Sequence, residues 1–156
     1  MIRTAVASDA VVIGKMWEKL VTYHRRIDDD MPQATANGPE LYARSLMNRL
    51  EDSHTRVLVA EVDGRVVGYV LGVVVDLVPE MFEHEAGGFL ADIYVEDAYR
   101  GRGIGRALVE NLAAWFRTHG VNHFEWHVAA SNVEALGFWR ALGGRDLMIR
   151  MRANIE

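Results

Sequence analysis

The chain has 156 residues, half of them hydrophobic, a formal net charge of −5 and no cysteine. That length fits one domain spanning 1–156, enough to bury a sheet under helices. Composition excludes disulfides, thiol nucleophiles and thiolate metal sites, and the acidic balance argues against nucleic acid as a principal partner.

No run of about eighteen apolar residues offers a membrane span, and the N-terminus carries no basic-then-apolar leader, so a soluble cytoplasmic protein with no membrane partner is expected. Ile2–Val6 reads as a short first strand. Ser8 or Asp9 can then cap a helix whose apolar positions Val12, Ile13, Met16, Leu20 and Tyr23 recur at helical spacing to about Ile27. Asp28–Pro32 and Asn37–Pro39 bracket a loop before a second helical pattern from Glu40 to Leu50. Arg56–Val62 and Arg65–Val75 are β-branched runs joined by Asp63-Gly64, a strong hairpin signal. Residues 76–88, with Pro79, Gly87, Gly88 and several acids, read as a loop before an alternating strand at Phe89–Glu96. A helix over Ile104–Arg117, a strand over His123–Val128, a helix over Asn132–Leu142 and a last strand over Arg145–Arg152 complete the chain. The order predicts an α/β fold: one mixed, twisted sheet of six or seven strands with helices on both faces.

The most informative stretch is Tyr99-Arg100-Gly101-Arg102-Gly103-Ile104-Gly105-Arg106, where a strand delivers a glycine-rich turn into a helix start. The first turn of a helix leaves about four N–H groups unpaired, and its dipole puts partial positive charge there. An anion fits that place. Glycines at 101, 103 and 105 remove the Cβ atoms that would hold it off, and Arg100, Arg102 and Arg106 add charge at the rim. The dinucleotide pattern GxGxxG fails in both registers, because Arg106 or Leu108 stands where the third glycine belongs, and no Gly-Lys-Ser/Thr closes a P-loop.

The spacing Arg100-x-x-Gly103-x-Gly105 resembles the (Gln/Arg)-x-x-Gly-x-(Gly/Ala) motif of the GNAT superfamily of acyl-CoA-dependent N-acetyltransferases. A second segment, Val128-Ala129-Ala130-Ser131-Asn132 through Phe138-Trp139 to Leu142-Gly143, resembles the family's strand end, helix-opening Asn and paired aromatics, so the likeness covers most of the chain. The resemblance implies a GNAT-like sheet whose strands 89–96 and 123–128 run parallel and splay into a cleft for acetyl-CoA. The pantetheine arm would pair with the main chain around Ile93, Tyr94 and Val95, the pyrophosphate would sit on Arg100, Gly101, Arg102, Gly103, Ile104, Gly105 and Arg106, and Asn132 and Trp139 would touch the arm. Homodimers are common among such relatives.

Acetyl transfer from a thioester to an amine needs a neutral amine, a stabilised oxyanion and an exit for the thiolate. An alkyl ammonium with pKa near 10.4 costs roughly 4–5 kcal/mol to deprotonate at pH 7. Polyamine-type relatives place Glu before an Asp on the fourth strand; here Ala91 precedes Asp92. Asp92 is therefore the first candidate base, His127 the second and Glu125 the third, with a water relay as an equal route and structural hydrogen bonding the plain alternative for each. The family's usual Tyr acid is Trp139 here, whose indole N–H can donate a hydrogen bond but not surrender its proton. Packing on the pantetheine is its expected role, and a core aromatic the plain alternative. Asn132 can cap its own helix, and an oxyanion donor is expected from a fourth-strand main-chain N–H.

His119, His123 and His127 stand four apart, but Gly120 interrupts any helix, and in a strand that spacing spans roughly 13 Å, so no metal site is expected. His84-Glu85 lacks the second His of a zinc-protease helix, and no Gly-x-Ser-x-Gly occurs. Trp17, Tyr23 and His24 on the first helix read as core or groove wall, with acceptor contact as the other possibility. Asp28, Asp29 and Asp30 with Asp76, Glu80, Glu83 and Glu85 make acidic margins, which favour a small cationic amine acceptor such as a polyamine or amino acid. N-terminal or lysine protein acetylation, and an acyl-CoA sensor without turnover, are the alternatives.

Overall fold

The computed structural model describes residues 1–76 and 78–156; Leu77, within the loop expected over 76–88, lies outside the described residues. The elements are β1 (Ile2–Thr4), α1 (Ala10–Ile27), α2 (Gly38–Arg49), β2 (Thr55–Val62), β3 (Arg65–Val75), β4 (Gly87–Val95), α3 (Ile104–Thr118), β5 (Phe124–Glu125) and α4 (Val133–Ala141). They form one five-stranded sheet in the order β1-β2-β3-β4-β5. Every pair is antiparallel except β4 with β5.

Two-residue periodicity divides the core. Val57, Val59, Tyr69 and Leu71 face Ile13, Met16 and Leu46 of α1 and α2, while Leu58, Ala60 and Val70 face Leu108, Leu112 and Phe116 of α3. Helices thus cover both faces, as expected. The β2–β3 hairpin turns on Asp63 and Gly64, with φ of 50° and 75°, the pair of positive values that matches strand twist. Asp9 does not cap α1 with its side chain. Its carboxylate instead accepts the Val6 N–H at 2.8 Å and two bonds from the Arg3 guanidinium, pinning the β1–α1 corner.

Three features depart from the sequence expectation. Among the described residues the strand expected over 123–128 is reduced to Phe124–Glu125 and Arg145–Arg152 forms no strand, so the sheet has five strands instead of six or seven. The two losses go together: β5 is last in the order and paired on one side only, and among the described residues no strand lies against 145–152 to form a ladder with it. The third feature is a bulge in β4. Leu71 pairs with Asp92 but Gly72 pairs with Leu90, so Ala91 is an extra residue. Leu90 therefore packs under α3, whereas Tyr94, and with it Asp92 two residues away, turns to the α1–α2 side.

Candidate active site

The cleft begins where the sheet ends. β4 and β5 pair only at Gly88–Phe124 and Phe89–Glu125, and from Leu90 onward β4 is bonded to β3 alone. The wedge that opens holds a cavity of about 470 Å³. Ile93, Tyr94 and Val95 form one wall, and Asn132 and Trp139 at the two ends of α4 form the other; the Arg100–Arg106 turn closes one end. Leu20 and Tyr23 of α1 reach it from above.

At the turn, Gly103 holds φ of 80°, a left-handed conformation that a side chain strains, and stands immediately before α3. Among the described residues no side chain caps this helix. Its first internal bond runs from the Ala107 N–H to the Gly103 carbonyl at 3.0 Å, which leaves the amides of Ile104, Gly105 and Arg106 without a partner inside the helix. The residues that carry these donors line the cavity, and among the described residues no acceptor is bonded to them.

The three arginines of the turn are not equivalent. Arg100 is tied back: its Nε donates to the Val95 carbonyl at 2.8 Å, its Nη1 lies 3.2 Å from Asp97, and its guanidinium lies over the Tyr94 ring. Arg106 lines the cavity beside Glu110, 3.6 Å away across an exposed helical turn. Arg102 does not line it; its guanidinium lies over the Tyr99 ring. The other residues expected at a coenzyme site, from Ile93 through Trp139, all border the same cavity.

Trp139 is buried and belongs to an aromatic stack, 4.5 Å from Trp126 and 5.0 Å from Phe138 between ring centroids. Its indole nitrogen donates to no described residue, and Trp139 lines the cavity. Asn132 is also buried, and its Oδ1 accepts the Ala135 N–H at 3.1 Å, which caps α4. Its Nδ2 lies 3.5 Å from Nε2 of His24. Burial holds the His24 imidazole below its ordinary pKa, so it is neutral near pH 7 and can accept there.

The candidate bases are separated. Asp92 does not border the cavity; the bulge turns it to Tyr42, whose hydroxyl donates to Asp92 Oδ2 at 2.7 Å and accepts from Tyr69 at 3.3 Å. Burial raises the Asp92 carboxyl above its ordinary value, against the Tyr42 hydrogen bond and the charge of Arg49. The same burial pushes both tyrosine hydroxyls up, so they stay protonated donors. His127 is exposed with its ring edge-on to Phe89, 5.3 Å between centroids. Glu125, opposite Phe89, bonds to no described side chain. Neither His127 nor Glu125 shares Asp92's network.

Tyr42 went unread in the sequence because one Tyr in an amphipathic helix carries no signal of its own. Its ring stacks on Trp17 at 5.1 Å and borders a second, apolar cavity of about 380 Å³ between α1 and α2. His119 and His123 point elsewhere, to the Ser53 carbonyl and the Asn122 side chain. Among the described residues no group of three or more His, Asp or Glu side chains could hold a metal ion, and no helix is long and apolar enough to cross a membrane. The acidic margins are partly neutralised: Asp30 lies 3.4 Å from Arg152, and Asp76 pairs with His84.

The arrangement is a mixed sheet that splays beside a helix mouth, with a glycine-rich turn at one end of the wedge and aromatics along its side. The model of the acetyltransferase (GNAT) family matches residues 20–143. The chain belongs to that family. It is 33% identical over 88 residues to L-2,4-diaminobutyric acid acetyltransferase of Nocardia farcinica, covering 56% of this chain and 42% of that one. It is 37% identical over 59 residues to the thialysine N-epsilon-acetyltransferase of Sus scrofa, covering 38% and 35%, and 37% identical over 89 residues to an uncharacterized N-acetyltransferase of Methanocaldococcus jannaschii, covering 56% and 51%. The chain thus spans about half or less of the length of these relatives. Among solved structures, a mutant protein from Bacillus halodurans superposes with a TM-score of 0.90 at 21% identity over 100% of this chain and 99% of that one. An aminoglycoside N-acetyltransferase in complex with CoA superposes at 0.69 with 18% identity over 98% and 95%. At those identities the likeness is one of fold.

Proposed function

We propose that the chain is an N-acetyltransferase that moves the acetyl group of acetyl-CoA onto the primary amine of a small cationic acceptor, by direct attack with both substrates bound. One observation carries this reading: Ile104, Gly105 and Arg106, whose amides have no partner inside the helix, line the same cavity as Ile93, Tyr94 and Val95 of β4. Those amides suit a pyrophosphate, and the β4 edge suits an arm that hydrogen-bonds as an added strand. A structure of a fold relative with CoA, and another with acetyl-CoA, agree with this choice of ligand.

Acetyl-CoA supplies an acyl group already activated as a thioester. The protein then has three tasks. Main-chain N–H groups beyond the β4 bulge polarise the carbonyl oxygen. The indole N–H of Trp139 donates to the departing sulfur, and water delivers the proton, since a thiol of pKa near 8.5 leaves without strong acid help. Asp92, held by Tyr42, accepts the ammonium proton through a water relay, because its carboxylate does not border the main cavity. The acceptor class rests on the acidic α1 exit and on the diamine-type acceptors for which two of the relatives are named.

A second reading, an acyl-CoA sensor, is favoured by Ala91 and Trp139 standing where polyamine-type relatives carry Glu and Tyr. Mixing the protein with acetyl-CoA and a panel of diamines, amino acids and peptides while following free thiol separates the two. Thiol release with small diamines supports the enzyme, and tight coenzyme binding without release supports the sensor. No binding of coenzyme A overturns both.

A further inference from the structure

The amide of Asn132 cannot turn over without loss. Its Oδ1 accepts the Ala135 N–H at 3.1 Å and caps α4, so its other arm is the donor Nδ2, which lies 3.5 Å from Nε2 of His24. Two donors cannot bond each other, so the contact requires the neutral imidazole, with its proton on Nδ1 and its lone pair on Nε2. The pair joins residues 108 positions apart. His24 lies one turn beyond Leu20 on the same face of α1; Leu20 and Tyr23 border the main cavity from that helix, and Asn132 borders it from the wall that α4 makes. Among the described residues no other side-chain hydrogen bond joins α1 to α4.

We propose, on the reading that acetyl-CoA occupies the main cavity, that His24 is a positioning residue for the coenzyme: its neutral imidazole holds the Asn132 amide in place and ties α1 to α4 across the bound arm, and its protonation releases the tie. Protonation puts an N–H on Nε2, opposite the N–H groups of Nδ2. Asn132 can meet it only by turning its oxygen toward His24, and the cap on Ala135 is then lost. A cationic His24 therefore opposes the amide orientation that a neutral one favours, and a ligand seated on that amide binds the neutral state better.

Three observations favour a latch over an incidental contact. First, both groups are withdrawn from solvent, Asn132 buried and His24 half-buried, where an unmet polar group is costly. Second, burial alone lowers the His24 pKa, so the accepting state is the populated one at pH 7. Third, the charged and titratable groups around the ring are bonded elsewhere or not bonded to it. Arg25 bonds the Asp29 and Met31 carbonyls, and Arg26 lies over the Tyr23 ring. Asp28 donates its N–H to the His24 carbonyl, and Asp30 pairs with Arg152. From the other walls, Tyr94 on β4 and Glu134 on α4 border the cavity without bonding to the imidazole. Asn132 is thus the one side chain bonded to the His24 ring among the described residues, and the proton on His24 competes with that amide alone.

Calorimetry of coenzyme A binding from about pH 8 down to about pH 5, the range that spans an imidazole titration, tests this. At the upper end His24→Ala should weaken binding about two- to fivefold, the low part of the range for a neutral hydrogen bond because 3.5 Å is long. His24→Gln, whose amide oxygen accepts at every pH, should restore it. As pH falls through the His24 pKa, the native chain should lose affinity relative to His24→Gln, a ratio in which the coenzyme's own titration cancels. In thiol release, His24→Ala should raise KM for acetyl-CoA more than it lowers kcat. Binding must also act back on the proton: in nuclear magnetic resonance the His24 ring should titrate at lower pH with coenzyme A bound than without it. That shift needs no variant, so it decides alone if His24→Ala does not fold. Equal affinities in the native, Ala and Gln chains, a native-to-Gln ratio constant with pH, or a His24 pKa unmoved or raised by coenzyme A would each overturn the proposal and leave the acetyltransferase reading standing. No heat with the native chain at any pH overturns that reading, and the latch with it.

Discussion

Removing one hydroxyl tests whether Asp92 handles the amine proton. Tyr42 donates to Asp92 Oδ2 at 2.7 Å, and this bond opposes the effect of burial by favouring the carboxylate. Tyr42→Phe deletes the bond and leaves the burial. A hydrogen bond to a charged group contributes about 1.5–3 kcal/mol, and one pH unit corresponds to about 1.36 kcal/mol, so the Asp92 pKa should climb by about one to two units. In the thiol-release assay, with one amine used throughout, the acid limb of kcat/KM should move up the pH scale by that amount. Asp92→Asn should remove the limb and slow transfer by about 10²–10⁴-fold. Stability should follow the same carboxyl. Its folded pKa is raised above the ordinary 3.8, so its contribution is fully present below that value and is lost as pH rises through the raised one. Tyr42→Phe extends the window upward, which urea melts across pH would show. An acid limb that stays in place in Tyr42→Phe, or a wild-type profile in Asp92→Asn, would make Asp92 a structural anchor and refute the reasoning.

Gly103→Val should cost about 1–2 kcal/mol in thermal melts, because φ of 80° is left-handed. It should also abolish the calorimetric heat of coenzyme A, and unchanged affinity would remove the turn from the site. Trp139→Phe keeps an aromatic ring, smaller than the indole, and loses the N–H; a neutral hydrogen bond of about 0.5–1.5 kcal/mol predicts a roughly two- to tenfold fall in kcat/KM, and identical kinetics would end any role for the indole nitrogen. Arg3 bonds Asp9 at 2.8 and 3.0 Å and holds that buried carboxyl below 3.8, so the stability it contributes is present above that value and lost as pH falls through the depressed one. With Arg3 partly exposed, Arg3→Ala should cost about 2–3 kcal/mol, between a surface and a buried pair, and should erase that acid-side loss; a melt unchanged at every pH would contradict it.

Local chemistry settled much of this protein in the chain itself. The Asp63-Gly64 hairpin, α1 ending at Ile27, α3 opening at Ile104 and Asn132 capping α4 follow from turn, cap and periodicity rules that act over a few residues. The glycine turn was legible for the same reason, since a helix mouth makes its donors from main chain alone. What lay beyond reach depends on contacts between distant residues. Only packing showed that the Ala91 bulge turns Asp92 away from Leu90's face to Tyr42, fifty positions earlier in the chain. Only packing showed that Arg100 is tied back to Val95 while Arg102 lies over Tyr99. Residues 145–152 mark the boundary most plainly: alternation states that a segment can be a strand, but a strand exists only beside another, and the supply of that neighbour is a property of the folded chain and its surroundings.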